Sequence, residues 1–209
     1  SHHAATAPGD QVHVKGSFLE GKNSFAFDGN RQVKMEKRGG RLYQVLYIDG
    51  KEKESHPFDI SFGSKNAQTW LYWSGNNTYQ LPVSFYTSAN AWGTSPGYSI
   101  LYPSFDRLIG RNCFECHSSH IGFLHTADSS PANMNSPQKR EEMDRRSLVT
   151  GIDCERCHGP AREHVIYHEQ NPGQQAGRFI TRIMGMSRQQ QLDACAVCHS
   201  GNDRVKKKS

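Results

Sequence analysis

Apolar and polar positions alternate with a period of two through much of the first hundred residues, the pattern of half-buried strands. The densest run is Leu42-Tyr-Gln-Val-Leu-Tyr-Ile48, rich in aromatic and β-branched side chains. Similar runs over 11–18, 24–28, 31–37, 56–62, 68–74 and 78–85 read as further strands. Turn signals separate them at Asp28-Gly29-Asn30, Gly39-Gly40, Asp49-Gly50 and Gly75-Asn76-Asn77. Asp49-Gly50 is the residue pair a two-residue hairpin favours. Residues 1–103 therefore predict an antiparallel sheet of about six or seven strands.

Beyond residue 103 the alternation fades, and 104–209 reads as short helices and loops. Gln138 to Val149 is a helix candidate. Ser187-Arg-Gln-Gln190 is a capping-box pattern, in which the serine and the glutamine three residues later satisfy each other's backbone N–H groups at a helix start. Among the 209 residues, 35% are hydrophobic, with 19 glycines and 9 prolines. That is little apolar material for a self-sufficient core. No stretch approaches the roughly 20 apolar residues of a membrane helix. No signal-peptide pattern opens the chain, so the expectation is a removed leader or an internal section of a longer protein.

Charge alters this picture little. Lys and Arg number 25 against 20 Asp and Glu, a formal +5. The basic residues are scattered, and the dense cluster is confined to Lys206, Lys207 and Lys208. Nucleic acid is therefore not an expected partner.

The cysteines carry the chemistry. All six fall in pairs with two residues between, and histidine follows each pair: Cys113-Phe-Glu-Cys116-His117, Cys154-Glu-Arg-Cys157-His158 and Cys195-Ala-Val-Cys198-His199. This pentapeptide is the attachment signature of c-type haem. Two thiols add to the two haem vinyl groups, and the adjacent histidine ligates the iron from below. Zinc wants four ligands, so three pairs would leave one unused. A thioredoxin-type motif is usually single and lies near a βαβ pattern, which is absent. The steps from Cys113 to Cys154 and from Cys154 to Cys195 are both 41 positions, without further repetition between them. The expected cofactor is haem c, three per chain. Its propionates add roughly −6 and offset the basic excess. Arg107, Arg111, Arg156, Arg162 and Arg182 are candidate propionate partners.

The expected fold class is thus α+β: a β-rich region over 1–103 followed by a helix/loop multihaem c-type cytochrome region over 104–209. The aromatic cluster of Trp70, Tyr72, Trp73, Tyr79, Phe85, Tyr86, Trp92, Tyr98 and Tyr102 reads as sheet core, with packing against haem edges as the functional alternative. With few apolar residues in the second region, the porphyrins are expected to supply much of its core, leaving the haem-free form poorly folded.

Three of eleven histidines are proximal ligands on this reading, leaving His2, His3, His13, His56, His120, His125, His164 and His168. The surplus argues for bis-histidine ligation and low reduction potentials. His164 and His168 share one helix face at i and i+4. One of them is expected to ligate a neighbouring haem, since His164 is too few residues from His158 to wrap over the opposite face. His120 and His125 are weaker candidates. Met134, Met143, Met184 and Met186 are rival ligands that read better as packing residues.

At Gly151-Ile-Asp-Cys154-Glu-Arg-Cys157-His158-Gly-Pro-Ala-Arg-Glu-His164-Val the chain resembles the multihaem c-type cytochromes related to the tetrahaem cytochrome of hydroxylamine oxidation. There a Cys-x-x-Cys-His-Gly-Pro segment precedes a His-Val pair, and the resemblance makes His164 a distal ligand. Gln80-Leu-Pro-Val-Ser84 to Ser95-Pro-Gly-Tyr98, the ending Cys198-His199-Ser-Gly, and Ser1-His2-His3 ahead of Gly16-Ser-Phe18 are similar to larger relatives. Those relatives carry a further motif upstream and continue past the last one. The resemblance therefore implies that His2 or His3 ligates a haem attached elsewhere, on a neighbouring subunit for example.

The resemblance also implies export to the periplasm or the extracellular space. The expected function is electron transfer through three covalent haems to a redox partner protein, another cytochrome or a neighbouring subunit. One alternative is a multihaem oxidoreductase acting on nitrite or hydroxylamine at an open iron. Another is a haem module of an extracellular cytochrome assembly, including a homo-oligomer.

Overall fold

The computed structural model describes residues 5–124 and 142–199. Contacts divide the chain into two units, Ser1–Gly151 and Ile152–Ser209. Strand accounts for 37% and helix for 19%. The fold is therefore mostly antiparallel β with a few short helices, and the α+β expectation is corrected. The β structure does not stop at residue 103, and the helices beyond it are short.

In the first unit a four-stranded sheet runs β2 (Ser24–Ala26), β3 (Arg31–Arg38), β4 (Arg41–Ile48) and β5 (Lys51–Pro57) in chain order. Tight turns set its register. Arg38 pairs with Arg41 across Gly39-Gly40, and Ile48 with Lys51 across Asp49-Gly50. Asp49 and Gly50 take φ of 51° and 72°. Left-handed geometry at both positions matches the right-handed twist of the flanking strands.

A seven-stranded sheet is built on the path β1 (Thr6–Pro8), β6 (Ile60–Phe62), β7 (Ala67–Ser74), β8 (Asn77–Gln80) and β11 (Leu108–Ile109). From it β9 (Val83–Tyr86) pairs with β7, and β10 (Ala91–Thr94) with β9. Strand β7 alternates between two interiors. Trp70 and Tyr72 join a core with Val33, Met35, Leu42 and Leu46 of the four-stranded sheet. Leu71 points the other way, into a core with Ile60, Phe62, Phe114, Ile121 and Met143. Phe114 belongs to α1 (Arg111–His117); Ile121 and Met143 belong to the two-stranded sheet of β12 (His120–Phe123) and β13 (Met143–Val149). The seven-stranded sheet is thus covered on both faces, and the second cover carries the first Cys-x-x-Cys-His motif.

Buried amides staple backbone that the ladders leave unpaired. Gln44, fully buried, donates to the Val83 carbonyl at 2.6 Å and accepts from the Val83 N–H at 3.0 Å. Gln68 donates to the His13 carbonyl and accepts from the Lys15 N–H, at 2.8 and 2.7 Å. Pairing satisfies polar groups that would otherwise be costly to bury. Gly16 passes so close to Trp92 that a Cβ there would lie 2.5 Å from its ring.

Several expected elements differ. The run 56–62 is split: Pro57 closes β5 and Asp59 turns the chain into β6, accepting from the Trp73 N–H and pairing with Arg41, each at 2.8 Å. The run 78–85 is split at Leu81-Pro82, because proline has no N–H for a ladder. Residues 11–18 form no strand. The Asp10 carboxylate there accepts from the Val12 and His13 N–H groups, a local turn that competes with pairing. The helix expected over 138–149 is strand from Met143, and its earlier part lies outside the described residues.

The second unit contains α2 (Glu155–His158), α3 (Arg162–Gln170), a 3-10 turn at Ile183–Gly185 and α4 (Arg188–His199). The capping box opens α4 as expected: Gln190 N–H donates to Ser187 Oγ at 3.3 Å, and Ser187 N–H to Gln190 Oε1 at 3.0 Å. No residue from 152 to 196 is buried.

Candidate functional site

Each of the three motifs lies on a helix, or starts at its N-cap, and runs to a histidine at the helix end. Helix α1 ends on His117, α2 on His158, and α4 extends to His199. Within the second motif the His158 N–H donates to the Cys154 carbonyl at 2.8 Å, and the Cys157 N–H to the same oxygen at 3.2 Å. One helical turn therefore carries both thiols and the imidazole, the arrangement the pentapeptide requires. Cys154, Cys157 and Cys195 are exposed, while Cys113, Cys116 and Cys198 are half-buried.

The first motif is anchored from the sheet. Phe114, between its two cysteines, is fully buried and meets Phe62 edge-on at 5.4 Å. The same Phe62 ring stacks on His117 at 4.9 Å and 24°. Sequence reading passed over both phenylalanines. The signal was present in Phe114, an apolar residue inside a polar pentapeptide.

In the second motif the imidazole is held through one nitrogen. His158 Nδ1 lies 2.7 Å from the Thr181 carbonyl, and the Thr181 N–H returns a bond to the His158 carbonyl at 3.0 Å. A carbonyl only accepts, so Nδ1 is the donor in this bond, and Nε2 is the nitrogen available to a ligand. His164 on α3 repeats the device: its Nδ1 lies 2.7 Å from the Arg178 carbonyl. An imidazole that donates one ring N–H to a backbone carbonyl while offering the other nitrogen is the usual form of a metal-ligating histidine. His168, one turn on, places its ring 4.6 Å from that of His164, and its Nε2 is buried without a hydrogen-bond partner. These donors fit a haem: thiols for the vinyl groups, and imidazoles poised through Nε2.

The other expected ligands divide. His120 is exposed at the start of β12. His2, His3 and His125 lie outside the described residues, as does Met134. Met143 is a core residue of the first unit, and Met184 is 91% exposed. His56 and His13 serve the first unit, on Glu54 and Asp10, each at 2.7 Å. Among the propionate candidates, Arg107 donates to the Pro96 carbonyl and covers the Tyr98 ring, and Arg111 bonds Glu115 at 2.5 Å. Trp70, Tyr72, Phe85 and Trp92 of the aromatic cluster are sheet core.

Among the described residues no three His, Cys, Asp or Glu side chains converge to hold a metal ion. No helix among them is long and apolar enough to cross a membrane. No family model, curated protein or solved structure matches the chain.

Proposed function

We propose that this protein is an exported multihaem c-type cytochrome that moves electrons through three covalently attached haems. The observation that carries the reading is the second motif: one helical turn presents Cys154, Cys157 and His158, with the His158 proton committed to Thr181 and Nε2 left as the donor atom. Haem iron, when bound, supplies the one-electron chemistry. The protein's part is to fix each imidazole and to surround the porphyrin. His117, His158 and His199 are the proximal ligands; His164, oriented by Arg178, is the best-supported distal one, and His168 the next. Val165, Ile166 and Leu192, between 40% and 49% exposed, are apolar material suited to cover haem faces. The partner is a redox protein, another cytochrome or a neighbouring subunit, in the periplasm or outside the cell.

The test is a reductive titration of the native protein with spectroscopy of the irons. Uptake of three electrons per chain, with all irons six-coordinate and low-spin before and after cyanide, is the expected result. One high-spin iron whose spectrum shifts with cyanide or nitrite would replace the carrier with an oxidoreductase.

A further inference from the structure

Two imidazoles at different places in the second unit are tied to one short stretch of backbone. His158, at the end of α2, donates to the carbonyl of Thr181; His164, on α3, donates to the carbonyl of Arg178. Between those carbonyls stands Phe179, with φ of 56°. A bulky side chain in the left-handed region is uncommon and strained. Such strain persists only where the surroundings impose it, and it gathers at functional positions. Phe179 is 57% exposed, and its ring meets Tyr167 of α3 at 5.6 Å. The chain bends at Phe179 and Ile180, and the carbonyls of Arg178 and Thr181 that flank the bend each meet an imidazole.

We infer that Arg178–Thr181 is a two-pronged backbone clamp that sets the ring orientation of both His158 and His164, with the left-handed conformation of Phe179 as its spring. The inference rests on the haem reading of those histidines. Phe179 is a positioning residue: it acts on iron only through the carbonyls beside it. Ring orientation and the strength of the Nδ1–H bond tune ligand basicity, so the clamp belongs to the control of potential and spectrum and not to attachment.

Phe179→Gly and Phe179→Val separate the backbone from the ring. Both remove the contact with Tyr167. Glycine adopts left-handed φ without strain, whereas β-branched valine resists it. Haem content by pyridine haemochrome comes first, then low-spin electron paramagnetic resonance and midpoint potentials of the loaded proteins. The clamp predicts wild-type g values and potentials for Phe179→Gly and shifted ones for Phe179→Val. Unshifted values in both variants overturn it. Equal shifts in both also overturn it, since ring packing would then be the cause. If Phe179→Val loads fewer haems, Phe179→Ala, with a milder left-handed penalty, carries the same comparison against glycine. Absence of covalent haem from the wild type would overturn the haem reading itself, a result distinct from either.

Discussion

At the scale of single residues, the proton on one imidazole nitrogen decides what the side chain can bind. The Thr181 carbonyl accepts a hydrogen bond from His158 Nδ1–H, which on the proposed reading leaves Nε2 to face the iron. Replacing both Cys154 and Cys157 by alanine should yield a chain lighter by one haem in intact mass, with thermal melting of the first unit unchanged. Gln44 makes a different case. Its amide satisfies both backbone groups of Val83 in a dry interior. Gln44→Ala strands a donor and an acceptor, and should destabilise the first unit by about 2–4 kcal/mol in chemical denaturation. Tyr72 adds a pH dependence. Burial, aided by nearby Glu54, pushes its hydroxyl up to about 12. An unfolded tyrosine ionises near about 10, so the unfolded chain releases its proton first. Stability is therefore held below pH ~10 and lost as pH rises toward 12. Burial raises Tyr98 as well, with the same sign. Thermal melts should show this loss. Tyr72→Phe should start less stable, lacking the 2.6 Å bond to the Phe105 carbonyl, and lose less between pH 10 and 12.

At the scale of elements, α1 rests on one side chain. Phe114→Ala empties a fully buried site against Phe62 and should cost about 3–5 kcal/mol in the first unit. It should also loosen the first motif, read as a lower yield of haem attached at Cys113 and Cys116 by peptide mass mapping. The legible elements share a physical reason. Strands β3, β4 and β7 are buried on defined faces, so their alternation is written in the sequence, and Asp49-Gly50 and Ser187–Gln190 encode their own turn and cap. The strand β5 is not legible because Lys51-Glu52-Lys53-Glu54 forms an exposed sheet edge, where charge guards against pairing with other chains. Strand β13 carries Arg145 and Arg146 on an exposed stretch, and its pairing with β12 comes from distant sequence. The same limit hid the clamp. That Arg178 and Thr181 would present carbonyls to two histidines is a tertiary fact, and backbone acceptors leave no mark in residue type. The Cys-x-x-Cys-His motifs themselves were legible in full, because all their residues lie within five consecutive positions.

At the scale of the whole molecule, the two units differ in what holds them. The first has two apolar cores of its own. The second has no buried residue from 152 to 196 and leaves Met184, Val165, Ile166 and Leu192 exposed. Burial of apolar area is the main favourable term in folding, so on the proposed haem reading the porphyrins would supply the second unit's interior. On that reading, the haem dependence expected for 104–209 applies to 152–199, since 104–151 shares the first unit's cores. A chain with all six cysteines replaced by alanine should keep the β signal in circular dichroism and lose most of the helical one, α1 of the first unit remaining. Persistence of the helical signal with cooperative melting would contradict haem as core. The central claim is most directly tested by a pyridine haemochrome assay combined with intact mass on the natively produced protein. Three covalently bound haems per chain is the predicted result. A chain of unmodified mass, with no haem at Cys113, Cys154 or Cys195 and their partners, would contradict it.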